Sequence, residues 1–337
     1  MSGDGDSFVA WVERTEARGP TAVHQINLAY LAAENQDWLI AVPLELDSGD
    51  VEQVRVLPLG NGAALVAWLA SVFEVEIGAF SCSFVLAEDV YGLSAPALWL
   101  AENVVLIAVR LNDSVNTLLV GRLDVQGGGV EWGQPLGGAG EKAGIQGAFV
   151  QGQQLLVWLE TDAYGYRSAY AAVSGQSESY AESVNLQWSA PQRLEVYEGH
   201  LSQLRIVANT ERAQIFWSNL GNSPHGRLQT VGYQSGSFSA PETLHDTGAN
   251  TPSASFGLGG RLHVMWRAMH NYCREYHPDD GWRSASRVFC VTPTLGFCYE
   301  GGLEQAIQVV GARGVAAWHE RLQRRSVAAM ALSWQGP

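Results

Sequence analysis

The chain has 337 residues, 47% hydrophobic and 10% aromatic but only 16% charged, with a formal net charge of −14. The apolar content is enough for a large core, and the acidic balance excludes a polyanionic partner such as nucleic acid, which needs clustered Lys and Arg. No apolar run approaches the roughly 18 residues of a membrane span.

One element recurs from the first residues onward: a short apolar run ending in Trp. It opens as Phe8-Val9-Ala10-Trp11 and returns at Leu65–Trp68, Leu155–Trp158, Gln214–Trp217, His263–Trp266 and Val315–Trp318. Leu106-Ile107-Ala108-Val109 is a seventh copy with Val in place of Trp. The anchors at 11, 68, 109, 158, 217, 266 and 318 are 41 to 59 residues apart, close to the roughly 40–50 residues of a four-stranded propeller blade. Before the anchor runs come tight turns such as Gly60-Asn61-Gly62, Asn209–Arg212, Gly257–Gly260 and Gly311–Gly314. The strands before those anchors read Val51–Leu57, Gly144–Val150, Leu201–Ala208, Pro252–Phe256 and Glu304–Val310. A third strand such as Arg227–Gln234 follows the anchor. Then comes an aromatic with a proline three residues on, as in Trp132–Pro135, Trp188–Pro191 and Phe238–Pro241; Trp282 heads a copy without proline. Proline lacks an N–H, so this last element is the outermost strand.

The anchor strands are apolar on both faces, as strands sandwiched between neighbouring sheets must be, and no stretch keeps a helical period. The expected fold is all-β: one β-propeller domain over residues 1–337, its four-stranded antiparallel blades about 50 residues each. Seven blades are favoured and six are the alternative; paired β-sandwiches are the runner-up fold. The terminal repeats read as incomplete, because the chain opens at a Trp strand and closes at Trp334. The N-terminal Met-Ser-Gly-Asp-Gly-Asp lacks the basic and apolar regions of a secretory signal. The chain therefore reads as soluble, either cytoplasmic or secreted without such a signal.

The Gly turn, the Val-x-Trp strand and the Trp of the outer strand resemble the sialidase-like, BNR-repeat group of propellers. In that family a Ser-x-Asp-x-Gly-x-x-Trp box forms the turn into the outer strand. Fragments of it stand at Gly129–Trp132, Val184–Trp188 and Pro278-Asp279-Asp280-Gly281-Trp282. The resemblance implies architecture and not activity. A sialidase needs three arginines, a Tyr–Glu pair and an acidic Asp; none of these is carried by a local motif here.

Polar residues on the first strands are the first candidates. Gln53-Val54-Arg55 and Gln203-Leu204-Arg205 match, and Gln146 and Gln305 lie at similar distances before their Trp anchors. Alternation would point Arg55, Gln146, Arg205 and Gln305 into a central channel. An anionic group or ordered water is expected between Arg55 and Arg205, since guanidinium groups fork anions. The sixth repeat is the densest in polar residues, and Arg267, Tyr272 and Glu275 are its candidate ligand contacts. His270-x2-Cys273-x3-His277 imitates metal spacing, but on a strand His270 and Cys273 fall on opposite faces, so no metal site is expected. Tyr164, Tyr166, Tyr170 and Tyr180 form an aromatic patch that would stack on sugars, anchor a protein or simply pack. Of the four cysteines, Cys82, Cys273, Cys290 and Cys298, free thiols are expected; the last three lie within one repeat, and a disulfide such as Cys290–Cys298 is the alternative. There is no P-loop, Rossmann fingerprint or nucleophile elbow, and no cofactor is expected. The leading functional expectation is a non-catalytic recognition module for a glycan or a protein. The alternatives are a glycan-cleaving hydrolase or lyase and a structural subunit of a larger assembly.

Overall fold

The computed structural model describes residues 7–14, 24–31, 39–40, 53–60, 63–69, 75–79, 82–85, 97–102, 104–111, 116–124, 129–136, 140–175, 186–195, 200–219, 226–268, 271–288, 305–310, 313–322 and 325–328. These residues form seven antiparallel sheets in chain order. The first holds β1 (Ser7–Arg14), β2 (His24–Leu31) and β3 (Leu39–Ile40). The second holds β4 (Gln53–Gly60), β5 (Ala63–Leu69), β6 (Val75–Ala79) and β7 (Cys82–Val85). The third holds β8 (Ala97–Ala101), β9 (Val104–Arg110), β10 (Leu118–Leu123) and β11 (Val130–Trp132). The fourth holds β12 (Glu141–Val150), β13 (Gln153–Thr161), β14 (Arg167–Val173) and β15 (Gln192–Arg193). The fifth is β16 (Leu201–Ala208), β17 (Arg212–Asn219), β18 (Arg227–Gln234), β19 (Ser237–Phe238) and β20 (Glu242–His245). The sixth is β21 (Asn250–Phe256), β22 (Leu262–Arg267), β23 (Asn271–His277), β24 (Gly281–Trp282) and β25 (Ser286–Val288). The seventh is β26 (Gln305–Val310), β27 (Arg313–Leu322) and β28 (Arg325–Ala328). A single 3-10 turn, Leu258–Gly260, is the one helical element among the described residues. No helix there is long and apolar enough to cross a membrane.

Within each sheet strands follow one another in sequence order, as a meander requires. The Trp-bearing strand is second in sheets two, four, five, six and seven, and first in sheet one. Trp158, Trp217 and Trp266 are fully buried at equivalent places of sheets four, five and six. The side chains of Trp11, Trp68 and Trp318 lie outside the described residues.

The outer strand shows what proline does. In sheet five it is broken into β19 and β20, which both pair with β18 on either side of Ser239-Ala240-Pro241. Ser239 spans the break: its N–H donates to Gly232 O at 2.8 Å, and its Oγ accepts from Gly232 N at 2.9 Å. Ser189, before Ala190-Pro191, repeats the pattern on Val173 at 2.8 and 3.1 Å. In sheet six the turn Pro278–Asp280 leads to Gly281, whose φ of 75° lies in the left-handed region that glycine enters without strain.

The chain divides into two compact units: unit 1, Met1–Glu160 with Ala171–Pro191, and unit 2, Thr161–Tyr170 with Gln192–Pro337. Both units build their cores between successive sheets. In unit 1, Ala64 and Val66 of β5 pack with Phe8, Ile26 and Leu28 of sheet one. The alternate residues Leu65 and Ala67 pack with Val105, Ile107 and Val109 of sheet three. In unit 2, Phe216, Leu228 and Leu244 of sheet five meet Leu262, Val264 and Trp266 of sheet six. A second strand buried on both faces must be apolar at every position, which is why its sequence runs without alternation.

Candidate functional site

Antiparallel order gives every sheet two distinct ends. The first strand begins, the second ends and the third begins at one end, close to the Trp anchor; the tight first turn closes the other. These are called the Trp end and the turn end.

Unit 1 carries a buried ionic cluster at the Trp end of sheets three and four. Lys142, the only lysine of the chain, begins β12 with its side chain wholly buried. Its Nζ donates to Gly140 O at 3.0 Å and lies 3.9 Å from Glu160 Oε2. The same carboxylate oxygen accepts the indole N–H of Trp158 at 3.1 Å. Arg110 closes β9 and is 8% exposed. Its Nη1 donates to Lys142 O at 2.6 Å and to Glu141 Oε1 at 3.2 Å, while its Nε is buried without a partner. Glu141 is exposed and Glu160 mostly buried. Two carboxylates thus stand at the Trp end of β12 and β13, Glu141 beside Arg110 and Glu160 beside Lys142. A buried pair of this kind is costly unless fully bonded, so such sites concentrate where fixed charge is used. Sequence reasoning missed this cluster. The available signals were the lone lysine and charged residues placed just past two anchors, Arg110 after Val109 and Glu160 after Trp158.

In unit 2 the sixth-repeat candidates do not converge. Tyr272 is registered with Trp266, whereas Arg267 and Glu275 fall on the opposite strand parity, registered with Asn271 and His263. Tyr272 stacks on Trp266 (centroids 5.8 Å apart, planes 14° apart), and His245 completes the set at 5.1 Å from Tyr272. Burial pulls the His245 imidazole below its ordinary pKa against the nearby Asp246 and a Thr247 backbone bond. Glu275 is at the other, turn end. There His277 Nε2 approaches Glu275 Oε2 to 3.1 Å and Arg283 Nη1 to 3.6 Å, while His263 and Arg261 stand 3.9 Å from Oε1. The 3.1 Å approach sets the His277 imidazole directly against the carboxylate. The expectation that Glu275 joins Tyr272 in one ligand site is therefore corrected: period-2 alternation and three intervening strand positions separate them.

Burial opposes ionisation of Glu275, but His277, His263 and Arg283 together outweigh it and hold the carboxyl below its ordinary 4.5. Burial likewise keeps His263 below 6.5 despite Glu275. In both cases the unfolded chain binds protons first as the pH falls, so stability declines with acidification. The Glu275 contribution is complete above about pH 4.5 and is lost as the pH drops through the lower folded value. Glu275→Gln is expected to lower the urea midpoint at pH 7, with the gap to wild type closing on the way down through pH 4. A gap that stays constant over that range would remove charge as the cause.

The first-strand candidates divide between the units. Arg55 of unit 1 is registered with Ala67, and Arg205 of unit 2 with Phe216, each one residue before the Trp anchor. Both are half-buried, as is Gln146, and Arg205 Nη1 donates to Leu204 O at 3.2 Å. Gln305 is registered with Trp318 itself, one step out of phase, so its grouping with the two arginines is corrected. Tyr164 is 87% exposed on a turn in which Asp162 Oδ1 accepts the N–H groups of Tyr164 and Tyr166; Tyr166 stacks on His200. Tyr170 is half-buried in β14. Cys273 is a free, half-buried thiol whose pKa is pushed up by burial and by Glu275. His270, Tyr180, Cys290 and Cys298 lie outside the described residues.

No family model matches the chain, and no curated protein sequence does. Solved structures do. The β-propeller domain of the Trilobed protease from Pyrococcus furiosus matches with a TM-score of 0.53 and 9% identity, covering 97% of this chain and 93% of that one. An α-L-arabinanase of Penicillium chrysogenum complexed with arabinobiose matches with a TM-score of 0.54 at 12% identity, covering 83% and 93%. The α-L-arabinofuranosidase of Fusarium graminearum with arabinobiose matches at 0.52 and 11%, covering 84% and 92%. The fold is that of a β-propeller with four-stranded antiparallel blades, and the sialidase-like resemblance is one of fold. The expectation of a non-catalytic recognition module is corrected by this finding, because solved structures similar to the chain include arabinofuranosidase and arabinanase enzymes.

Proposed function

We propose that the chain is a glycan-cleaving enzyme, a hydrolase, with Glu160 and Glu141 as its working carboxylates. The observation that carries the reading is the shared propeller fold, over more than four-fifths of this chain, with two enzymes holding arabinobiose. The ionic cluster supports it chemically. Glycoside hydrolysis uses two carboxyl groups flanking the scissile bond, and Glu160 is held in one orientation by the Trp158 indole with Lys142 beside it. The unpartnered Nε of Arg110 offers a buried donor to a substrate oxygen. Arabinose-containing polysaccharide is the substrate class to try first.

The test is a panel of arabinan, arabinoxylan, sialylated glycans and uronate-rich polysaccharides incubated with the pure protein. Released sugars are read by anion-exchange chromatography, and unsaturated ends by ultraviolet absorbance. New reducing ends on a neutral glycan are expected. Unsaturated ends instead would make the chain a lyase, and no release from any member would sink the proposal.

A further inference from the structure

We propose that a cleft on unit 1, walled by outer-strand segments, binds a neutral oligosaccharide; the inference rests on the reading of the chain as a glycan-cleaving enzyme and names a second contact for the same class of substrate. The cleft has a volume of about 470 Å3 and is lined by Gln134, Pro135, Leu136, Leu186, Gln187 and Trp188. That volume falls in the roughly 300–1,000 Å3 range of small-ligand sites. Both walls are outer-strand segments pinned to their sheets. Leu136 exchanges two backbone hydrogen bonds with Leu118, at 2.8 and 3.1 Å. Trp188 bridges Ser174, and Gln187 O accepts from Gly175 N at 2.9 Å. The walls are therefore set before any ligand arrives, which lowers the ordering cost of binding.

Trp188 departs from the other outer-strand aromatics. Phe238 lies against Tyr233 at 4.9 Å, Trp282 against Tyr276 at 5.2 Å, and Trp132 packs on the core between sheets two and three. Trp188 has no ring neighbour among the described residues and is half-exposed in the cleft. An indole face takes the C–H face of a sugar ring. The exposed Gln134 and Gln187 amides each offer donors and an acceptor to hydroxyl groups. Among the described lining residues none is charged, so nothing there selects a carboxylate or a cation. That chemistry fits a neutral, hydroxyl-rich chain.

The test is affinity electrophoresis of the intact protein through gels containing arabinan or arabinoxylan, with polygalacturonate as the anionic control, followed by calorimetry with arabino-oligosaccharides. The neutral polysaccharide is expected to retard the protein and the anionic one not. Trp188→Ala, and separately Gln134→Ala combined with Gln187→Ala, are expected to weaken binding about tenfold. The glutamine pair is exposed and cannot fail merely by unfolding. Absence of retardation, or full binding by both folded variants, overturns the inference. Binding that depends on Trp188 in a protein that cleaves nothing would defeat the proposed function and leave the cleft standing.

Discussion

Trp217→Ala is expected to destabilise the protein by about 3–5 kcal/mol, the cost of emptying a large aromatic site in a close-packed interior. Trp217 is fully buried in the second strand of sheet five, and its indole N–H donates to Gln229 Oε1 at 3.2 Å. Trp158 has the same burial and a Glu160 acceptor, and Trp158→Ala belongs in the same range. Trp266 is different. Its register partner on the third strand is Tyr272, where Trp217 faces Gln229, and its Nε1 is buried with no acceptor. A buried donor left unmade costs roughly 1–3 kcal/mol. Replacement by Phe removes the same volume at both sites but loses a hydrogen bond only at Trp217. Trp217→Phe should therefore cost about 1–2 kcal/mol more than Trp266→Phe in urea unfolding at neutral pH. Equal costs would mean that the indole N–H contributes nothing at either place.

The fold was legible because its repeat is written in residue types with few alternatives. A second strand buried on both faces has to be continuously apolar, and a Trp repeated at its end marks the same place in each sheet. Proline after an aromatic can stand only where no ladder donor is needed, and the break between β19 and β20 falls at Pro241. What counting could not give is strand parity. Arg55 and Gln305 both lie thirteen residues before their Trp, yet a bulge at Pro58–Gly60 inserts one residue into the β4–β5 pairing, and β26–β27 has no such shift. A one-residue shift exchanges the two faces of a strand. In sheet five a further bulge lies between Ser202 and Arg205, where Gln203 takes a φ of 55° opposite the Trp anchor. The Lys142 cluster was illegible for another reason. Its members come from three strands of two sheets, and nothing local in the sequence couples Arg110 to residues 141, 142 and 160. The shortage of lysine read as composition; only burial shows that the one lysine present is placed.

Glu160→Gln is expected to lower kcat on the glycan that the screen identifies by about 100-fold or more, the usual range for removing a positioned acid–base group, and to lower the thermal midpoint as well, because the wholly buried Lys142 ammonium loses its carboxylate. The expectation follows from geometry. Gln keeps the shape and an oxygen that still accepts the Trp158 N–H, so the side chain stays where the carboxylate was. What is lost is the negative charge beside Lys142 Nζ, 3.9 Å away. Lys142→Met is the complementary change and breaks the same pair from the other side. It removes a wholly buried ammonium and leaves the mostly buried Glu160 without its cation, a loss that breaks folded stability by about 3–5 kcal/mol in comparable buried pairs. Combining the two substitutions removes both charges. The double variant should regain most of the stability lost by Lys142→Met, since the unpaired carboxylate is gone, and should regain none of the activity. Thermal unfolding and kcat measured on the four proteins of this cycle separate the roles. If Glu160→Gln is as active as wild type, the carboxylate is only the structural counterion of Lys142, and catalysis must be assigned to other residues.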